Sequence, residues 1–156
     1  MALRQIRTNG DPVLRQKAHP VKVITPQIIK LLNDMAETMY DANGVGLAAP
    51  QIGIAKRLVV IDVADENNLL KLINPEIIAR SGRETAIEGC LSFPGVAGEV
   101  ERAGSVTVKA LVPTGETIEL QATGLLARAL QHEIDHLDGI LFVDRVSRFV
   151  EIETKE

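Results

Sequence analysis

The sequence predicts an α+β fold that contains an antiparallel sheet, with one helix near the start of the chain and another near its end. Three patterns predict it: an apolar helical stripe that follows Thr25, a β-hairpin between residues 105 and 122, and an apolar helix that begins near Thr123. Helices and strands occur in separate runs, which favours α+β over a parallel βαβ series. With 156 residues and 46% hydrophobic content, the chain fits a single domain over residues 1–156.

The first helix has signals at both ends. Thr25 is suited to cap its N-terminus, and Pro26 is tolerated as the first helical residue because that position needs no N–H donor. Asn43 and Gly44 predict where the helix ends. Apolar side chains recur between these signals at helical spacing, at Ile28, Leu32, Met35 and Met39.

Strand patterns occupy the middle of the chain. Residues 57–63, "RLVVIDV", and 69–78, "LLKLINPEII", are β-branched or aliphatic runs. Every second side chain is apolar in residues 105–112, "PTGE" then supplies a turn, and the alternation returns in residues 118–122. The last residues, "RFVEIETKE", are interpreted as a frayed tail.

Charge and composition exclude several classes of protein. The formal net charge is −4, the isoelectric point is near 5.4 and the charges are scattered, which argues against a general nucleic-acid binder or a basic membrane-surface helix. No apolar run approaches the roughly 18 residues of a membrane span, and the start "MALRQIRTNG" lacks a signal-peptide core. The single cysteine, Cys90, cannot form an internal disulfide. We therefore expect a cytoplasmic protein whose thiol stays reduced.

The stretch "QHEIDHLDG", residues 131–139, carries two histidines on the last predicted helix. On a helical wheel His136 lies about 40° from His132 and Glu133 about 100° away. Both imidazoles can therefore bind one first-row metal, while Glu133 lies at the flank, where it can handle protons on a bound water. Leu125 and Ala129 fall between and beside the histidines, and small Ala129 leaves room there.

The same helix is predicted to be mostly buried. Its polar residues are confined to a strip of about 80° on the wheel, formed by Arg128, Gln131, Asp135 and Asp138. An alternative to metal binding is that each imidazole is hydrogen-bonded in the core. Burying two imidazoles and a carboxylate without partners would be costly, which favours the metal.

A third metal ligand is needed for a catalytic site that keeps an open position. Cys90 is the stronger candidate, because the glycines Gly89 and Gly95 in "IEGCLSFPG" allow the backbone to approach another group closely. The alternative is that Cys90 is simply a small buried hydrophobic residue. His19, beside a proline in an N-terminal loop, is interpreted as solvated and without a role.

The segment "GVGLAAPQIG", residues 44–53, contains one long polar side chain, Gln51. It has neither the spacing nor the lysine of a phosphate-binding loop, so nucleotide binding is not expected. Gln51 either satisfies backbone groups of its loop or donates its amide to a developing oxyanion, and the sequence leaves both open.

Three motifs in this order and spacing resemble those of the peptide deformylase family: "GVGLAAPQIG", "EGCLS" and "QHEIDHLDG". The opening "LRQIRTNGDPVLRQKAHPV" is similar to the N-terminal region of the same family, and the likeness runs from about Leu3 to about Val146. The third motif is shared in part with zinc peptidases, but the three together are highly specific. The resemblance implies antiparallel sheets around a central metal-binding helix.

The resemblance also implies an activity, which is removal of the formyl group from the N-terminal formyl-methionine of new proteins. A water molecule would occupy the fourth position of the metal and attack the formyl carbon. Glu133 would be the general base and acid, and Gln51 with the backbone N–H of Leu91 would bind the oxyanion. The metal ligands it implies are Cys90, His132 and His136.

Further residues are implied to bind substrate. The segment around Val45 and Gly46, with Gly89 opposite, would pair with the substrate backbone as an added strand. Val45, Leu125 and Ala129 are candidate walls of an apolar hole for methionine. Family membership would make Fe(II) the expected metal, whereas two imidazoles and a thiolate also suit Zn, Ni or Co.

The partners implied by the resemblance are N-formyl-methionyl nascent peptides. Some bacterial members of the family carry a longer basic C-terminal helix thought to dock on the ribosome. Here the chain ends with "SRFVEIETKE", which contains three glutamates, so the expectation of ribosome association is weakened.

Two other functions compete with this interpretation. In a metallopeptidase, "HEIDH" would work with a downstream carboxylate such as Glu151 or Glu153. In a non-enzymatic binding domain, a metal would only stabilise the fold, but such sites usually have four protein ligands and the sequence offers three convincing ones.

Overall fold

The computed structural model describes residues 3–151, which contain two α-helices and eight β-strands. The helices are α1 (Pro26–Asp41) and α2 (Gly124–Leu137). The strands in chain order are β1 (Gly46–Ala48), β2 (Leu58–Ile61), β3 (Leu70–Ser81), β4 (Glu84–Gly89), β5 (Ala97–Arg102), β6 (Ser105–Leu111), β7 (Thr117–Thr123) and β8 (Val146–Val150). Short 3-10 turns occupy Pro12–Arg15, Ala49–Ile52 and Phe142–Asp144.

The named strands pair antiparallel in two sheets. One has the order β1-β2-β3-β6-β7 and the other the order β4-β5-β8. Helix α2 packs on the first sheet, and its Arg128 reaches the second, where Nη1 donates to Val100 O of β5 at 2.9 Å. The predicted α+β fold, with antiparallel sheets around a central helix, is confirmed.

Strand β2 is buried on both faces and separates the two helices. Its Val59 and Ile61 belong to the apolar cluster that contains α2, whereas Leu58 and Val60 belong to the cluster that contains α1. A strand covered on both sides has no polar face, which explains the uninterrupted apolar run in this part of the sequence.

Helix α1 begins and ends where the sequence predicts. The Thr25 side chain accepts a hydrogen bond from the Ile28 N–H at 3.3 Å. After the helix, Asn43 adopts a φ of 57°, and the Gly44 N–H donates to Met39 O at 2.9 Å. These bonds satisfy backbone groups that the helix ends would otherwise leave unpaired.

The predicted strands at 57–63 and 69–78 correspond to β2 and β3, although β3 runs on to Ser81. The predicted hairpin is present as β6 and β7, in register from Ser105 opposite Thr123 to Leu111 opposite Thr117. The alternating pattern was sufficient here because one face of the hairpin packs on the core.

The sequence did not predict strands β1, β4, β5 and β8. The prediction of a frayed tail was wrong for residues 148–150. These residues belong to β8, where Phe149 pairs with Gly98 of β5. A Cβ at Gly98 would lie 2.5 Å from Val146 Cγ1, so the glycine permits a close approach that composition alone does not reveal. Residue 151 follows the strand, and residues 152–156 of the predicted tail lie outside the described residues.

The C-terminus of α2 is fixed by a cation. Arg57 Nη1 donates to Leu137 O at 3.0 Å, and Arg57 Nη2 pairs with Asp138 Oδ1 at 3.0 Å. The Ala18 N–H also donates to Leu137 O at 2.7 Å. Positive charge at this end complements the helix dipole, so α2 is anchored to the N-terminal segment and to the start of β2.

The N-terminal segment is tied to α1 through Asp34. Its Oδ2 accepts from Arg4 Nη2 at 2.9 Å and from Lys30 Nζ at 3.0 Å. Burial raises the pKa of the carboxyl, but the hydrogen bonds from Lys30 and Arg4 outweigh it, and the pKa is lower than the ordinary value of 3.8.

We expect Asp34→Asn to lower the free energy of unfolding at neutral pH by about 1 kcal/mol or less, since the two cations are partly exposed. Because the folded state lowers the pKa, this contribution is present above the unfolded value of about 4 and is lost as the pH falls through the folded value. Denaturant unfolding of both proteins at several pH values measures it. A difference that grew in acid would contradict the assignment.

Within residues 3–151, neither helix is long and apolar enough to cross a membrane.

Candidate metal centre and active site

The structure brings together the three side chains that the sequence proposed as metal ligands. Within residues 3–151, one cluster could hold a metal ion through ligand atoms within 4.8 Å of one another, and it consists of Cys90, His132 and His136. Cys90 Sγ lies 3.4 Å from His136 Nε2. The imidazole ring centroids are 5.1 Å apart, as expected for side chains one turn apart on a helix.

Two separate parts of the fold supply these ligands. Both histidines are buried on α2. Cys90 follows β4 directly, and the Phe93 N–H donates to Cys90 O at 2.9 Å, so the chain turns immediately after the thiol. Strand β4 and the turn after Cys90 therefore place the sulfur beside α2.

The donor set fits a divalent first-row metal. A thiolate and two imidazoles are soft to borderline ligands that suit iron, zinc, nickel or cobalt. Burial, together with the nearby His132 and Arg102 charges, keeps the pKa of His136 well below its ordinary value, so this ring is neutral and has a lone pair to offer.

His132 is held by a carboxylate. Its Nδ1 lies 2.9 Å from Glu88 Oε1, which directs the other nitrogen, Nε2, away from that carboxylate. Burial lowers the pKa of His132, but Glu133, Cys90 and Glu88 outweigh it and raise the pKa to about 10. A metal must therefore displace a proton from this ring when it binds.

Glu133 is buried beside the ligand cluster and lines the same cavity as His132 and Cys90. Its Oε1 has no hydrogen-bond partner within the part of the chain that the structure describes. Burial raises the pKa of Glu133 to about 7, and the His132 and Arg102 charges only partly counteract it. A carboxyl of this kind can accept and release a proton near neutral pH.

Gln51 satisfies a backbone group of its loop, and its amide nitrogen lies near the ligand cluster. Its Oε1 accepts from the Ala48 N–H at 2.9 Å, which satisfies the loop backbone. Its Nε2 donates to Ser92 Oγ at 3.2 Å and lies 3.5 Å from Cys90 Sγ. Because Oε1 is fixed by Ala48, the donor end of the amide faces the ligand cluster.

A cavity of about 480 Å³ opens beside the cluster and lies between the two sheets. Strand β1 is an edge of the five-stranded sheet and β4 an edge of the three-stranded sheet, and both line the cavity. All of the residues proposed for substrate and oxyanion binding line it: Val45, Gly46, Gln51, Gly89, Leu91, Leu125 and Ala129. The sequence did not identify Ile87, Phe93 and Val96, which also line it.

The helical wheel did not predict the burial of every side chain on α2 correctly. Leu125 is 55% exposed, because it lies in the first turn of the helix at the open side of the cavity. Arg128 and Gln131, in the polar strip, are buried instead. Gln131 is satisfied by both backbone groups of Ala103, at 3.0 Å and 2.9 Å. His19 is exposed, in agreement with its predicted solvation.

The sequence also missed Glu88. This buried carboxylate contacts His132 and accepts from Arg102 Nε at 2.7 Å and from Arg128 Nη1 at 2.6 Å. It belongs to the quoted motif "EGCLS", but nothing in the motif indicates that its partners lie on β5 and α2. A buried carboxylate needs cationic or hydrogen-bonding partners. An acidic residue two positions before a candidate metal ligand is the sequence signal that could have identified Glu88.

The family assignment follows from sequence comparison. The family model described as polypeptide deformylase matches residues 3–151. This chain belongs to that family. A peptide deformylase from Carboxydothermus hydrogenoformans is 61% identical over 150 residues, which cover 96% of this chain and 97% of the relative.

Solved structures agree. A peptide deformylase from Thermotoga maritima superposes with a TM-score of 0.91 at 46% identity and covers 94% of this chain and 99% of its own. A Met-Ala-Ser-bound peptide deformylase from Acinetobacter baumannii has a TM-score of 0.88 at 38% identity, covering 93% and 99%. The chain is a hydrolase that removes the N-formyl group from nascent peptides, and the metallopeptidase alternative is not favoured.

Proposed function

We propose that Cys90, His132 and His136 hold one divalent metal ion and that Glu133, Gln51 and Leu91 carry out deformylation beside it. The observation that carries this proposal is the convergence of the three ligand atoms within 4.8 Å of one another, at the cavity that Glu133 lines. The expectation that this metal is iron(II) comes from the family resemblance. Zinc, nickel or cobalt would suit the same donors. When bound, the cation supplies Lewis-acid charge that acidifies water and polarises a carbonyl.

Glu133 is the proton carrier in this proposal. It takes a proton from the attacking water and delivers it to the amine that leaves. Its pKa of about 7 supports both steps, since the group can be charged for the first and protonated for the second. Its buried, unpartnered Oε1 is the atom that we assign to the water.

Gln51 and Leu91 stabilise the developing oxyanion. The amide Nε2 of Gln51 faces Cys90, and the backbone N–H of Leu91 belongs to the residue that follows this ligand. Donors that are fixed before the reaction stabilise the transition state without reorganising, and loss of one typically costs about 10²–10³ in rate.

The substrate backbone is proposed to extend between the two sheets. Val45 and Gly46 at β1, and Gly89 at the end of β4, border the cavity from opposite sides, so a peptide could pair as an added strand. Leu125 and Ala129 offer apolar walls for methionine. The Met-Ala-Ser bound by the Acinetobacter baumannii relative supports the choice of this peptide as a probe.

The test of the mechanism uses formyl-Met-Ala-Ser and acetyl-Met-Ala-Ser with anaerobically prepared protein of known metal content. We expect formate release from the first peptide and hydrolysis of the second about 10–200-fold more slowly, because the pocket must exclude one additional methyl group. Equal kcat/KM values for the two peptides would contradict the assignment of this cavity to a formyl group.

Reciprocal variants separate this proposal from a metallopeptidase site. Glu151 is exposed and does not belong to the described donor cluster, and Glu153 lies outside the described residues. We expect Cys90→Ser to lose metal and activity, whereas Glu151→Gln keeps both. Metal analysis by mass spectrometry and the formate assay measure the outcome, and the reverse pattern would support the rival.

We also propose that residues 1–156 form one catalytic domain and that it acts in the cytoplasm, where formyl-methionyl chains emerge from the ribosome. Direct association with the ribosome is an expectation that comes from the family resemblance.

A further inference from the structure

Glu88 lies at the centre of a buried group of charges behind the ligand cluster. Two nitrogens of Arg102 donate to the Glu88 carboxylate, Nε to Oε2 at 2.7 Å and Nη2 to Oε1 at 2.9 Å. Arg128 Nη1 donates to Oε2 at 2.6 Å. Both oxygens are therefore fixed by guanidinium groups, and Oε1 also faces His132 Nδ1 at 2.9 Å.

The arginines are themselves immobilised. Arg128 donates to Val100 O at 2.9 Å and, through Nη2, to Glu84 O at 2.8 Å. Arg102 donates through Nη1 to Asp135 Oδ2 at 2.7 Å. Since these contacts link β4, β5 and α2, the carboxylate cannot turn without breaking several charged hydrogen bonds.

This environment keeps the carboxylate ionised. Its oxygens accept hydrogen bonds from two guanidinium cations, at 2.7 Å and 2.9 Å from Arg102 and at 2.6 Å from Arg128. An ionised carboxylate accepts hydrogen bonds and cannot donate one. The His132 nitrogen that faces it, Nδ1, must therefore carry a proton, and only Nε2 is available to a metal.

We propose that Glu88 is a positioning residue that selects the Nδ1–H form of His132 and fixes the ring so that Nε2 points toward Cys90 and His136. The expected consequence, a change in metal affinity, depends on the metal centre proposed above. Loss of a hydrogen-bonding partner behind a ligand typically weakens metal binding by about 10–100-fold.

Asp135→Asn provides a matched control for Glu88→Gln. Each variant converts one carboxylate that contacts Arg102 into an amide, but Asp135 contacts Arg102 and Arg145 rather than a metal-binding histidine. A general loss of stability would therefore appear in both variants, whereas an effect through His132 would appear only in Glu88→Gln.

The first measurement is zinc affinity of the metal-depleted proteins, by competition with a chromophoric chelator. We expect Glu88→Gln to bind zinc about 10–100-fold more weakly than the wild type, with Asp135→Asn at the wild-type value. Equal losses in the two variants, or no loss in Glu88→Gln, would overturn the proposal. Denaturant unfolding of each variant records the stability change separately.

The second measurement uses the zinc-loaded wild type and does not depend on whether a variant folds. Two-bond ¹H–¹⁵N spectra of histidine-labelled protein should show His132 with a proton on Nδ1 and none on Nε2. A proton on Nε2, or none on Nδ1, would refute the role of Glu88. Neither measurement uses catalysis, so inactivity toward formyl peptides would count against the proposed function and leave this inference standing.

Discussion

Glu133→Gln is expected to lower kcat/KM for formyl-Met-Ala-Ser by about 10²–10⁴-fold while the metal remains bound. Glutamine has nearly the same shape, so it can fill the buried position. Its amide cannot take a proton from water or deliver one to the leaving amine. The buried Oε1 without a described partner, and the pKa of about 7, are the features that assign this task to Glu133.

The measurement is formate release under saturating and limiting peptide, combined with metal analysis of the same samples. Glu119→Gln makes the same chemical change at an exposed position on β7 and should leave kinetics and metal content unaltered. A Glu133→Gln protein that kept its metal and more than about a tenth of wild-type kcat/KM would show that another group carries the proton.

The parts of the fold that the sequence predicted are those whose patterns arise locally. Helix α1 has its cap and stripe within adjacent turns, and the β6–β7 hairpin alternates over its whole length. Strands β4, β5 and β8 depend instead on partners distant in sequence. The glycines and glutamates of β4 and β5 have low intrinsic strand preference, and pairing and burial override that preference.

The site divides along the same line. The helical step fixes His132, Glu133 and His136 relative to one another, so their arrangement follows from the spacing of these residues in the sequence. The glycines around Cys90 made it a candidate ligand, but its position depends on how β4 meets α2, which no local pattern determines. Neither the helical spacing nor the family resemblance identified Glu88, because its contacts with Arg102 of β5 and Arg128 of α2 are visible only in the structure.

Gly46 is expected to be the position where a single methyl group damages catalysis most directly. A Cβ built on Gly46 would lie 2.6 Å from Glu133 Oε2 and 3.0 Å from its Cδ, so the carboxylate must move to admit it. Displacing a reacting group by about 1 Å can cost about 10² in rate. We therefore expect Gly46→Ala to reduce kcat by about 10²-fold with metal content unchanged.

Gly104→Ala is the matched control, since a Cβ there would meet nothing closer than Glu84 Cγ at 3.5 Å. The decisive comparison is the double variant with Glu133→Gln. If the methyl group acts by displacing Glu133, it should have little further effect on kcat once that carboxyl is an amide, because coupled changes at one group do not add. Effects that multiplied fully in the double variant would mean that Gly46 serves the peptide backbone rather than the carboxylate, and the loss should then appear chiefly in KM.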